Sequence, residues 1–230
     1  MQKLPFKVID LTHSLNPTIP TWSGNCGFAH QRILDHIPQQ RYSFQTHQIK
    51  MEEGIGTHLD APLHVLKGAR DVASLDLNEL ITHAVMIDVS QKAHEHYVVS
   101  TDDIIAFEKA HGVIQMGSFV IIYTGWSQYW LAPARYRNNL LFPSISAEAA
   151  ELLVHERNIN GLGIDTLSPD SPVNDEYPVH NIVLGNDKYL VENIANAHLL
   201  PATGCYTFAL PMKIQAGTEA PIRLIALCFP

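Results

Sequence analysis

The sequence is poor in positive charge, with 15 lysine and arginine residues against 23 aspartate and glutamate residues and a formal net charge of −8 at pH 7. Nucleic-acid partners require clustered cations, so this balance argues against one. Long apolar runs are also missing, because charged or polar residues interrupt every stretch before it reaches the length that crosses a bilayer. The opening residues, MQKLPFKVIDLTHSL, lack the continuous apolar segment of a signal peptide. We therefore expect neither a nucleic-acid nor a membrane partner.

Cysteine is scarce as well, and its three copies are Cys26, Cys205 and Cys228. An odd number of cysteines without paired spacing is typical of free thiols in a reducing compartment. We therefore predict that the thiols are free and that the protein is cytoplasmic.

What the sequence does have is the composition of an ordinary globular protein, 46% hydrophobic and 17% charged. A chain of 230 residues buries a substantial core and is most simply one domain over residues 1–230. Helices are predicted to begin at Ser100, with Asp103 completing a capping box, and at Ser146. The predicted strands are FKVIDLTH, RYSFQTHQIKM (half-buried by its alternation), AVMIDVS, SFVIIYTGW, GLGIDTL, CYTFALPMKI and IRLIALCF. Because strands outnumber helices without regular alternation, we expect an α/β fold: a single domain with a mixed, barrel-like sheet and flanking helices.

Two histidines and an aspartate lie close together in EEGIGTHLDAPLHVL, which starts at Glu52. If GTHLD is extended, His58 and Asp60 point to one face of the strand and can bind one ion. Pro62 suits a strand end and leaves His64 at the start of the next segment, near the same pocket. The alternative is a surface turn whose histidines are only hydrogen-bonded, and this stretch alone does not decide between the two.

A second stretch, VHNIVLGNDKYLVENI, places His180 and Glu192 on either side of a GND turn. The apolar segments that flank the turn can fold back and bring the two side chains together. Glu192 lies inside an apolar run, where an unpaired carboxylate is costly to bury and a nearby cation would remove that cost. The alternative is a carboxylate that faces water at the mouth of a strand.

Aromatic residues are candidates for the wall of a substrate pocket. Trp22, in a loop rich in proline and glycine, and Phe44 are our choices for a planar aromatic substrate. Trp126 follows a buried type of strand and is better explained by core packing. A serine or cysteine nucleophile has little support, because TWSGN does not match the G-x-S-x-G pattern and Cys205 has no evident histidine partner.

The nine residues GTHLDAPLH resemble the H-x-G-T-H-x-D-x-P-x-H signature of the cyclase family, metal-dependent hydrolases that include bacterial kynurenine formamidase and isatin hydrolase. The blocks PTWSGN, YTGWSQYW, FPSISAEAAELL, GLGIDTLSPD, VHNIVLGNDKYLVENI and APIRLIAL extend the resemblance over nearly the whole chain. It implies a swivelling β/β/α fold. It also implies that His58 and Asp60 bind metal, that His64 is the general acid/base, and that His180 and Glu192 complete or bridge a second metal position. Glu192 is therefore assigned to the catalytic residues with His64.

One position departs from this signature, because Gly54 stands where the family has its first histidine. The loss of one imidazole predicts a single ion held by Asp60, His180 and Glu192, with His58 nearby. The sequence offers His47, Glu52 and Glu53 as candidate substitutes for the missing ligand.

Histidine and carboxylate ligands without a thiolate suit Zn²⁺ or Mn²⁺. Such an ion makes a bound water acidic and polarises a carbonyl, which fits hydrolysis of an amide-type C–N bond. The resemblance therefore implies a hydrolase, foremost an arylformamidase acting on N-formyl-kynurenine. The alternatives are a hydrolase of cyclic amides or lactones, similar to isatin hydrolase, and a member without activity that binds a small molecule or metal. We also expect a small-molecule substrate and a homo-oligomer, either a dimer or a tetramer.

Overall fold

The computed structural model describes residues 5–25, 27–171 and 176–229. The strands in these ranges are β1 (Lys7–Asp10), β2 (Ala29–Leu34), β3 (Thr46–Lys50), β4 (His58–Asp60), β5 (Ile81–Asp88), β6 (Val98–Val99), β7 (Phe119–Tyr123), β8 (Ser144–Ile145), β9 (Gly161–Ile164), β10 (Tyr189–Glu192), β11 (Cys205–Phe208), β12 (Glu219–Pro221) and β13 (Ile225–Cys228). The helices are α1 (Leu77–Leu80), α2 (Thr101–His111), α3 (Pro133–Arg137), α4 (Ala147–Glu151) and α5 (Pro178–Gly185). Wider π-type turns continue α4 over Leu152–Glu156, and short 3₁₀ turns cover Pro62–His64, Val72–Ser74, Trp126–Tyr129, Asn138–Leu140 and Ala197–Leu199.

A curled nine-stranded sheet, in the order β1-β13-β11-β5-β7-β9-β10-β4-β12, forms the body of the molecule. Its centre, from β5 through β7 and β9 to β10, is parallel, and both flanks are antiparallel. The parallel strands are connected through α2, α4 and α5, which is the usual way to join parallel neighbours. This mixed α/β architecture with a curled sheet confirms the predicted fold class.

Two apolar clusters cover the two faces of the sheet. One gathers residues of the antiparallel flanks, including Leu59 and Ala220, and the other packs α2, α4 and α5 against the parallel centre. The helix starts follow the predicted caps: Ser100 and Asp103 form a capping box at α2, and the Ser146 side chain accepts a hydrogen bond from the amide of Ala149 at α4. Local side-chain chemistry therefore decides where these helices begin.

The strand predicted in RYSFQTHQIKM is present as β3, but the prediction that it is half-buried is wrong. In the described part of the chain β3 pairs with β2 alone, and every residue of both strands is exposed. The alternation of apolar and polar residues therefore does not mark a face against the core here, because this hairpin is separate from the main sheet.

The prediction of free thiols is wrong for Cys205 and Cys228, which form a disulfide. They are direct partners in the antiparallel β11–β13 ladder, with their Cα atoms 4.1 Å apart, so the pairing depends on strand register rather than on spacing in the sequence. Cys26 lies outside the described residues. The cytoplasmic location loses the support of the thiol argument and stays a prediction. Within the described ranges, no helix is long and apolar enough to span a membrane.

Candidate metal centre

Three neighbouring strands bring together the carboxylates of the site. The central strand β4 carries His58 and Asp60, which share one face as the i, i+2 spacing predicts. In the β10–β4 ladder Glu192 is the register partner of His58, and in the β12–β4 ladder Glu219 is the register partner of Asp60. Directly opposite residues project to the same side of a sheet, so all four side chains reach one space.

His180 reaches this space from the first turn of α5, which begins at Pro178. Asp170 precedes this helix and accepts hydrogen bonds from the backbone amides of Val179 and His180, at 2.8 and 3.0 Å. The same carboxylate lies 2.7 Å from His180 Nδ1. Because Nδ1 faces Asp170, the other ring nitrogen, Nε2, faces Asp60 and Glu192, at 3.9 and 3.4 Å.

His58 is oriented in the same manner. Its Nδ1 lies 2.9 Å from the carbonyl oxygen of Gly56, which also accepts a hydrogen bond from the Asn193 side chain. Gly56 has a φ of +65°, a conformation that side chains disfavour, and this turn is what aims its carbonyl at the ring. The Nε2 atom of His58 then lies 3.3 Å from Asp60 Oδ1 and 3.4 Å from Glu192 Oε2.

The ligand atoms form two groups that share Asp60. One group is His58, Asp60 and Glu219, and the other is Asp60, His180 and Glu192, with the atoms of each group within 4.8 Å of one another. The structure therefore brings together all four ligands predicted from the sequence and adds Glu219, which no sequence pattern predicted.

Burial and charge shift the pKa values of these groups strongly. Burial alone would lower the pKa of His58, but the carboxylates of Asp60, Glu192 and Glu219 outweigh it and raise that pKa to about 10. The pKa of His180 is likewise raised to about 10, because Asp170, Glu192 and Asp60 outweigh burial. Burial raises the pKa of Asp60 to about 7. This anionic pocket therefore favours positive charge at its centre.

The residues fit a divalent metal ion. Asp60 is 1% exposed, and its Oδ1 atom has no hydrogen-bond partner among the described residues, which is costly unless a cation is present. Each imidazole has its Nδ1 fixed by a carbonyl or carboxylate and its Nε2 directed inward, as metal-binding histidines do. Two imidazoles with carboxylates form a donor set that suits a divalent metal ion.

A cavity of about 630 Å³ opens over this centre. His64 lines it, at the end of the 3₁₀ turn Pro62–His64, with Nδ1 3.3 Å from Glu219 Oε2. The hydrogen bond to Glu219 raises the pKa of His64 above its ordinary value despite partial burial. His64 therefore stands beside the ligands, where a general acid/base belongs.

The predicted aromatic wall is only half present. Trp22 lines the cavity together with Tyr177, with the two ring centroids 6.3 Å apart. Phe44 is 75% exposed and is not among the described residues around the cavity, because it lies in the loop that joins β2 to β3 in the exposed hairpin. Trp126 is buried and donates a hydrogen bond to the carbonyl of Tyr136, in agreement with core packing.

None of the three suggested substitutes for the missing histidine is in either ligand group of the described residues. His47 lies on exposed β3, against the ring of His30. Glu53 accepts a hydrogen bond from the amide of Thr218, and Glu52 is exposed at the cavity. No sequence pattern predicted the positions of Glu219, Asp170 and Tyr177 at the site. The one available signal concerned Glu219, a charged residue in the segment GTEAP between two predicted strands.

Comparisons with known proteins agree with this geometry. The sequence profile of the Cyclase family, described as "Putative cyclase", matches residues 9–171. An isatin hydrolase of Roseibium aggregatum is 29% identical, covering 96% of this chain and 91% of that protein. A kynurenine formamidase of Bacillus cytotoxicus is 27% identical, covering 94% of this chain and 95% of that protein. The solved structure of isatin hydrolase A from Labrenzia aggregata bound to benzyl benzoate superposes with a TM-score of 0.89 at 30% identity, covering 98% of this chain and 95% of the other.

A curled mixed sheet, two groups of histidines and carboxylates on three strands and helix α5, and a further histidine beside them define a metal-dependent hydrolase. The profile match spans most of the chain, and the chain belongs to the cyclase family.

Proposed function

We propose that the protein hydrolyses the C–N bond of an aryl amide, foremost an aryl formamide of the N-formyl-kynurenine type, with Zn²⁺ or Mn²⁺ as its metal. The observation that carries the proposal is the position of His64 beside two ligand groups that share Asp60. The curated relatives named kynurenine formamidase and isatin hydrolase both support an amide substrate.

When bound, a divalent ion would supply an acidified water and polarise the substrate carbonyl. The residues that would hold metal include His58, Asp60, His180 and Glu192, with Glu192 between the two imidazoles. His64 would take the proton of the attacking water as its oxygen bonds to the carbonyl carbon. It would then give that proton to the nitrogen as the C–N bond breaks. Glu219 holds Nδ1 of His64, so Nε2 is the ring nitrogen that would exchange this proton.

An aromatic substrate suits the rest of the cavity. Trp22 and Tyr177 present rings at its wall, and ring faces contribute apolar contact with a planar group. In an aryl amide the nitrogen carries an aromatic ring, and this substrate ring would lie against Trp22 and Tyr177 while the substrate carbonyl faces the metal ligands.

A second candidate is hydrolysis of a cyclic aryl amide, as the name isatin hydrolase denotes. It is favoured by the solved isatin hydrolase A, which shares the fold at a TM-score of 0.89. The third alternative, a member without activity, is weakened by Glu219, because its carboxylate lies beside His58 and offers a ligand where Gly54 lacks an imidazole.

The experiment is a hydrolysis screen with the metal-loaded chain. Formanilide, N-formyl-kynurenine, isatin and an aryl lactone are each incubated with protein stripped by chelator and reloaded with Zn²⁺ or Mn²⁺, and the products are separated by chromatography. We expect release of formate from the aryl formamides with reloaded protein and none with stripped protein. Turnover of isatin alone would favour the second candidate. A folded, metal-loaded protein that cleaves none of them would contradict the proposal.

We also propose a homo-oligomer, a dimer or a tetramer. The β2–β3 hairpin supports it, because Ile33, Phe44 and Ile49 are each more than half exposed in this chain, and an isolated hairpin gains from burial against a second copy. Light scattering after size exclusion would give the mass, and a monomer would contradict the proposal.

A further inference from the structure

Gly54 and Glu219 compete for one volume. A β-carbon at position 54 would overlap Oε1 of Glu219 and would lie 3.0 Å from its Cδ. Gly54 is not among the described glycines with positive φ, so its backbone does not itself demand glycine. The missing side chain at this position is therefore what leaves room for the carboxylate of Glu219.

The Glu219 carboxylate faces two functional groups at once. Oε1 lies 3.7 Å from His58 Nε2, and Oε2 lies 3.3 Å from His64 Nδ1. The backbone at the start of β12, which carries Glu219, is held by Glu53, whose carboxylate accepts hydrogen bonds from the amides of Thr218 and Glu219, at 2.9 and 3.4 Å. This arrangement directs the carboxylate into the site rather than into solvent.

A buried atom in the same group lacks a partner. Asp60 Oδ1, which faces His58 Nε2 at 3.3 Å, makes no hydrogen bond to any described residue. Asp60 Oδ2 faces His180 instead, at 3.9 Å. The two oxygens of Asp60 are thus directed at the two different ligand groups, which is the geometry of a carboxylate that bridges two cations.

Building on the metal site proposed above, we propose that Glu219 replaces the imidazole missing at position 54, so that the chain binds two divalent ions bridged by Asp60. The sequence alone predicted one ion, because it showed no third ligand for the position of His58 and Asp60. With Glu219, three carboxylates and two imidazoles surround the pair. A carboxylate in place of an imidazole makes the ligand set harder, so Mn²⁺ is the favoured probe over softer ions.

The test counts ions in substituted chains. Stripped protein is titrated with MnCl₂ by calorimetry, and tightly bound manganese is measured by mass spectrometry after desalting. We expect two ions for the wild type and one for Glu219→Ala. We also expect one for Gly54→Ala, which removes no ligand but whose new methyl group pushes the Glu219 carboxylate aside. Glu52→Gln, a change at an exposed carboxylate of the cavity outside both ligand groups, is the matched control and keeps two.

A double variant tests whether the lost ion reflects a lost ligand or a lost fold. Gly54→His/Glu219→Gly moves an imidazole into the space that the carboxylate leaves, and we expect it to bind two ions, unlike Glu219→Ala and Gly54→Ala. One ion in the wild type, or two in Glu219→Ala, would overturn the assignment of Glu219. Two ions in the wild type and one in Glu219→Ala, without hydrolysis of any substrate in the screen, would support this assignment and contradict the proposed function.

Discussion

Glu192 lies directly opposite His58 in the β10–β4 ladder, with 3.4 Å between its Oε2 atom and His58 Nε2. This single register position explains why a carboxylate within an apolar strand is buried at 6% exposure. Burial would raise the pKa of Glu192, but the two imidazoles outweigh burial and lower that pKa to about 2. Strand pairing therefore places this carboxylate at the candidate metal centre.

Replacement of His64 should separate chemistry from metal binding. We expect His64→Ala to keep the bound ions yet to lower kcat by about 10²- to 10⁴-fold, the range for a general acid/base. Asp60→Ala, by contrast, should abolish metal binding, because both ligand groups share this carboxylate. Metal content and hydrolysis are measured on the same samples. If His64→Ala loses manganese in proportion to activity, His64 is a ligand and its assigned role is wrong.

Removal of the charge on Asp170 should weaken metal binding without removing a ligand. Asp170 lies 2.7 Å from His180 Nδ1 and fixes which nitrogen faces the ions. We expect Asp170→Asn to lower metal affinity by about 10- to 100-fold in calorimetric titration. The matched control is Asp103→Asn, which alters the capping box of α2 and should leave the affinity unchanged. Equal affinity in the Asp170 variant and the wild type would show that this carboxylate only caps α5.

His13 should make the stability of the fold sensitive to acid. His13 stacks on Trp130 with ring centroids 3.9 Å apart, and burial lowers its pKa from 6.5 to about 4. Between these two pH values the unfolded chain binds the proton and the folded chain does not, so stability falls as pH drops from 6.5 to 4. The expected contribution is about 2 kcal/mol, reduced for partial exposure of the ring.

Urea unfolding at pH 7 and pH 4.5 measures this effect. His13→Phe keeps a ring on Trp130 but cannot take up a proton, so it should lose less stability on acidification than the wild type. Identical losses in both proteins would mean that other groups cause the acid sensitivity.

Reduction of the disulfide should destabilise the fold. Cys205 and Cys228 are buried, and their bond closes a loop with a sequence separation of 23 residues. A loop of this length corresponds to about 3 kcal/mol in the free energy of unfolding. We expect a reductant to lower the urea midpoint of the wild type but not that of Cys205→Ser/Cys228→Ser. A midpoint unaffected by reductant in the wild type would contradict the disulfide.

The sequence predicted those parts of the site that depend on neighbours along the chain. Two-residue periodicity placed His58 and Asp60 on one face, and the capping box at Ser100 marked the start of α2. It could not predict Glu219, because the pairing of β12 with β4 joins segments far apart in the chain. The disulfide between Cys205 and Cys228 could not be predicted for the same reason, because the register of β11 against β13 brings the two cysteines together.

The prediction that Phe44 lines the pocket failed for a different reason. Phe44 belongs to a segment whose composition suits a pocket wall, but the β2–β3 hairpin is separate from the main sheet and leaves it exposed. Tyr177, which does line the cavity, precedes the proline that begins α5, and no pattern in the sequence showed that this turn faces Trp22.

Anomalous X-ray diffraction from crystals of the manganese-loaded protein tests the central claim most directly, because it locates ions without reference to activity. We predict a peak within coordination distance of Asp60, His180 and Glu192 and a second among His58, Asp60 and Glu219. A map with no manganese peak near Asp60, or with manganese bound only elsewhere on the chain, would contradict the claim that these strands build a metal centre.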